Sequence, residues 1–217
     1  MINQTDKTLL RWGGLSTYLL VIAFVALLVG SRVFGAREWA LWVPLFSVVI
    51  CLWICLLLAA HEYLKQFHNA LTTIGSAFGA LLIIVLFVEV AAWSADKMLP
   101  PADDGGVTSP LLALFYSTHS LAIWFHALWL AFWGAVLARR EGREKTIGIM
   151  FFAFADCYAV YYALVRLGLP EEGEWAHTAG HFALILSHWM LAGVLLSASK
   201  EQGGLSDFDP RPPVNGG

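Results

Sequence analysis

LTTIGSAFGALLIIVLFVEVAAW, residues Leu71 to Trp93, decides the fold. A helix needs about 20 mostly apolar residues to cross the hydrocarbon core of a bilayer. This run is long enough and carries a single charged residue, Glu89. A water-facing helix would show a polar stripe at helical spacing, and this one shows none. It reads as a transmembrane span.

Five further runs of the same kind flank it: Leu15 to Val33, Ala40 to Ala60, Leu111 to Leu137, Ile147 to Val165 and His177 to Ser197. Together they take up most of the 217 residues. The whole chain is 59% hydrophobic and 13% charged, against about 25% charged for a soluble domain. The expected fold class is therefore all-α, an integral membrane bundle of six transmembrane helices over residues 15–197. Residues 1–14 form a short N-terminus, and residues 198–217 a Gly/Pro-rich tail of disordered composition. The first run follows Lys7 and Arg11, as a signal peptide would. Ser31 to Ala36 offers no small-x-small cleavage site, so the run is read as a retained span.

Orientation follows from the basic residues. Lys7, Arg11, Lys65, Arg139, Arg140, Arg143, Lys145, Lys200 and Arg211 fall on one side of the membrane, and Arg32, Arg37, Lys97 and Arg166 on the other. The positive-inside rule places the first set, with both termini, in the cytoplasm. The opposite connectors are acidic: Asp96, Asp103 and Asp104, then Glu171, Glu172 and Glu174. The location expected is the bacterial inner (cytoplasmic) membrane, with the lipid bilayer as partner. A net charge of −3 without a basic stripe argues against nucleic acid. Oligomeric state is not legible. Cys51, Cys55 and Cys157 lie in apolar runs and read as small fillers. Gly75-x-x-x-Gly79 has the spacing that lets two membrane helices approach closely, and reads as internal packing.

Ionisable side chains inside spans are costly and often functional. Here they are Glu89, His119, His126, Asp156, His181 and His188, with His177 at the outer edge. His119 and His126 are seven residues apart, as are His181 and His188, so each pair shares a helix face. His177 sits one turn from His181. Residue rise places Glu89, His119 and His181 in a layer near the outer surface, with Asp156, His126 and His188 deeper. His61, Glu62 and His68 read as a solvated connector.

Four readings follow. Imidazoles with a carboxylate suit a transition metal such as zinc, copper or iron. His119, His177 and His181 would be its ligands, and Glu89 or Asp156 a catalytic base. Facing histidines would instead ligate one b-type haem, either His126 with His188 or His119 with His181. Titratable groups staggered in depth suit a proton or cation transporter. Finally, a scaffold subunit would use the same residues only to specify packing.

The order His119, Asp156, His177-x-x-x-His181 is similar to that of intramembrane hydrolases such as the alkaline ceramidases. The chain departs from that pattern: Phe115 stands one turn before His119 where those enzymes carry serine, and it has six spans rather than seven. The stretch Ala138-Arg139-Arg140-Glu141-Gly142-Arg143 followed by Ile147-Gly148-Ile149 resembles uncharacterised bacterial multi-pass (six-span) membrane proteins. That resemblance covers the fourth to sixth spans and implies the six-span layout without a function.

Overall fold

The computed structural model describes residues 4–34, 39–98 and 109–204. Six helices follow one another: α1 (Gln4–Phe34), α2 (Trp39–Leu64), α3 (Asn69–Met98), α4 (Pro110–Leu137), α5 (Gly142–Arg166) and α6 (Pro170–Gly204). All six are long and apolar enough to cross a membrane. Arg37, Asp103, Asp104 and the tail beyond Gly204 lie outside the described residues. The helices outrun the apolar spans. α1 takes in most of the N-terminus expected to precede it, and α6 opens at Pro170 rather than His177. Proline suits the first helical position, where its missing N–H would have had no partner.

Each helix packs on its chain neighbours, α6 returns to α1, and α2 touches α4 and α6 across the middle. The result is a closed ring in which the inner faces of α2, α4 and α6 meet. An even number of helices puts the start of α1 and the end of α6 at the same end. That end carries Lys65 and the run Arg139 to Lys145 and is the basic end of the bundle. The opposite, acidic end carries Asp96 and the Glu171, Glu172 and Glu174 cluster.

Lipid is as apolar as a protein core, so membrane helices are held by close packing and interhelical hydrogen bonds. The Gly75-x-x-x-Gly79 spacing works within the chain. A Cβ at Gly75 would come within 2.8 Å of the Trp133 ring, and one at Gly79 within 3.1 Å of Trp129. α3 thus lies directly on two indoles of α4. At the basic end the Tyr63 hydroxyl donates to Glu144 at 2.9 Å, tying α2 to α5. At the acidic end the turn from α5 into α6 needs Gly168, whose φ of 79° is left-handed. Large apolar side chains such as Ile22, Val48, Ile84 and Phe182 point outward, as a lipid-facing surface requires.

One connector reading changes. α2 runs through Leu64, so His61 and Glu62 belong to the helix. His61 is half-buried, and its Nδ1 lies 2.8 Å from Ser76 Oγ of α3. His68 Nδ1 accepts the Leu71 N–H at 3.2 Å, capping α3. These histidines hold helices rather than face solvent.

Candidate intramembrane histidine sites

The first site opens at the acidic end. Glu89 lies nine residues from the end of α3 and His119 nine from the start of α4, each ~14 Å along its helix. Equal heights on adjacent helices bring them together. His119 Nδ1–H donates to Glu89 Oε1 at 2.8 Å. The glutamate is 8% exposed, and its Oε2 is buried without a partner among the described residues. The His119 side chain is half exposed. It stands seven residues before His126 on the same face of α4, nearer the acidic end, in the outer mouth of the bundle.

The other wall of the mouth comes from α5 and α6. A carbonyl can only accept, so the 3.0 Å contact from His181 Nδ1 to the His177 carbonyl fixes the proton on Nδ1. Nε2 is left with a lone pair, and the Tyr158 hydroxyl donates to it at 2.9 Å. The His177 and His181 rings meet edge to face at 4.4 Å, and Tyr161 packs on His177 at 4.8 Å. His119 lies within electrostatic reach of both His177 and His181.

The second site is at the centre of the bundle. His126 and His188 are 8% and 3% exposed, and their ring centres are 6.4 Å apart. Trp53 lies 4.5 Å from His126 and 6.1 Å from His188. Phe154 lies 4.7 Å from His126 and Phe151 5.7 Å from His188. His188 Nδ1–H donates to the Leu184 carbonyl at 2.8 Å, again leaving the lone pair on Nε2. Neither His126 Nε2 nor His188 Nε2 has a hydrogen-bond partner among the described residues; nor do the indole nitrogens of Trp53 and Trp129. The two sites adjoin, since His126 lies within electrostatic reach of His181.

The structure thus brings Glu89 to His119, His181 to His177 and Tyr158, and His126 to His188. It does not bring Asp156 to any of them. Asp156 is exposed on the outward face of α5, in line with Ile149, Ala153, Val160 and Ala163. The inward face carries Ile147, Phe151, Phe154 and Tyr158. A catalytic base at Asp156 is therefore not assembled, and neither is the His–Asp–His order that suggested a hydrolase. His119, His177 and His181 line one mouth, yet among the described residues no three His, Cys, Asp or Glu side chains converge as a metal-ligand group. A haem between His126 and His188 does not fit this packing. The Trp53 ring stands beside the midpoint of the pair, within the disc a porphyrin would occupy.

Sequence reasoning missed Tyr158 as a partner and Trp53 as a wall. Tyr158 was signalled by its place one turn beyond Phe154, on the aromatic face of α5. Trp53 gave no signal, because an indole suits lipid equally well. No protein family matches this chain, and no curated protein or solved structure matches it.

Proposed function

We propose that this is a proton-conducting membrane protein that takes protons in at its acidic end. The observation that carries the reading is the Glu89–His119 pair, a carboxylate and an imidazole in direct hydrogen bond toward the acidic end of the bundle. Isolated ionisable groups in hydrocarbon are expensive, and those that persist commonly serve ion or proton pathways. Further titratable groups lie beside and beneath this pair: His177 and His181 with Tyr158, then His126 and His188. The positive-inside count puts the acidic end outside the cell. His119 Nδ1 meets Glu89, and its ring is half exposed. The imidazole can therefore accept a proton on one nitrogen and release one from the other, the property that makes histidine a shuttle.

Reconstitution into liposomes with a trapped pH-sensitive dye tests this. The wild-type chain should dissipate an imposed pH gradient. Glu89→Gln keeps the shape and removes the charge, and should slow the flux on the order of 100-fold, the low end for a positioned proton-transfer group. Wild-type liposomes no leakier than empty ones would overturn the reading and leave these pairs as determinants of helix packing.

A further inference from the structure

We propose that His126 and His188 form a bis-imidazole site for a single copper(I) ion at the centre of the bundle. The site goes beyond proton conduction and does not depend on it.

The geometry is that of two imidazoles whose buried Nε2 atoms lack partners among the described residues and whose ring centres stand at the spacing of a shared ion. A metal ligand must present a lone pair, and ligating histidines almost always donate their other ring N–H to a carbonyl or carboxylate. His188 already does so, through Leu184. Its Nε2 and that of His126 are both buried and unpartnered. Two metal–nitrogen bonds of about 2.0 Å, with roughly 1 Å from each nitrogen to its ring centre, set the centres about 6 Å apart. The observed separation is 6.4 Å.

The surroundings choose the ion. Imidazole suits zinc, copper, iron and nickel. Zinc in a protein takes four ligands, or three with an open position, and only two imidazoles are here. Trp53, Trp129, Phe151 and Phe154 pack against the pair and bring no anionic atom. The cost of placing an ion in such a medium rises as the square of its charge, so a divalent cation costs about four times a monovalent one. A monovalent ion stable with two nitrogen ligands is copper(I). The indole of Trp53 beside the midpoint adds the attraction of an aromatic ring for a cation. Copper on both lone pairs would stop a proton path at His181.

The test uses the full chain in detergent, without oxygen, with copper(I) supplied from a coloured chelator of known affinity. One copper should transfer per chain. X-ray absorption of the loaded wild type should show two nitrogen scatterers with an imidazole signature and no sulfur. His126→Gln or His188→Gln should weaken binding by more than the roughly 10- to 100-fold that loss of an outer-shell partner costs. Replacing Cys51, Cys55 and Cys157 by alanine should leave it unchanged. Sulfur scatterers, or full copper retention in a His126→Gln/His188→Gln chain, would overturn the proposal. Should the glutamine variants fail to fold, the wild-type spectrum still decides.

Discussion

The mouth and the centre are built from the same two ladders, yet they leave their histidines in opposite conditions. His119 and His126 stand seven residues apart on α4, and His181 and His188 seven apart on α6. In the mouth the neighbouring helices supply partners: Glu89 from α3 for His119, Tyr158 from α5 for His181. One level down, α2 and α5 supply Trp53, Phe151 and Phe154, which offer imidazole no oxygen. What a histidine can do here is set by the helix facing it. A half-exposed imidazole bonded to a carboxylate is equipped to pass protons; a buried pair whose Nε2 atoms lack partners among the described residues is equipped to take up a metal ion.

Stability measurements separate the two conditions, and the largest effect belongs to the mouth. His119→Leu leaves the buried Glu89 carboxylate without its partner; because the imidazole is half exposed, the expected cost is about 3 kcal/mol, the upper end for a buried acceptor left unsatisfied. The Glu89→Leu/His119→Leu chain should recover most of that loss, since both polar groups go together. At the centre the same kind of change should be nearly silent. His188→Phe removes a nitrogen that bonds no side chain and restores an apolar surface of similar shape. Its expected cost is under about 1.5 kcal/mol. Reversible unfolding in detergent, followed by helical circular dichroism, checks all four chains. Equal losses for His119→Leu and His188→Phe would erase the distinction between the sites.

A second, smaller effect concerns how α3 is held on α4. Gly75 lets α3 lie against Trp133, and a side chain there would meet the indole at 2.8 Å. Gly75→Val should cost about 1–3 kcal/mol through overpacking. Gly75 lies 14 residues from Glu89, ~21 Å along α3, so the Glu89–His119 pair should persist and proton flux should change little. A collapse of flux in Gly75→Val would mean that the pair depends on packing at the far, basic end of α3.

Much of this was legible in the sequence, and the rest was hidden for a physical reason. The spans follow from run length, and the seven-residue ladders from helical periodicity. Internal packing of Gly75 and Gly79 could be read as well. The rotation of each helix could not, because lipid and core are both apolar and no polar stripe marks the outside. Asp156 shows the consequence. Counting residues gave it a depth, and its acidity gave it a role beside the histidines. Its direction is instead fixed by the aromatic side chains of α5, which fill the interior and turn the small residues outward. Residue rise puts Glu89 and His119 in one layer, but that their side chains meet depends on the rotation of α3 and α4.

The smallest expected effect tests that rotation directly. Asp156 lies ten residues from the end of α5, ~15 Å along the helix and close to the depth of His119. Depth alone would make it a member of the mouth. Its outward direction makes it irrelevant there, so Asp156→Asn should leave proton flux and copper binding within about twofold. Stability should not fall, because asparagine places no charge on that outward, lipid-facing surface. A collapse of flux in Asp156→Asn comparable to that of Glu89→Gln would instead require α5 to turn its acidic face toward the histidines. Tyr158 would then leave His181, and the partnered mouth would have to be rebuilt around a different carboxylate.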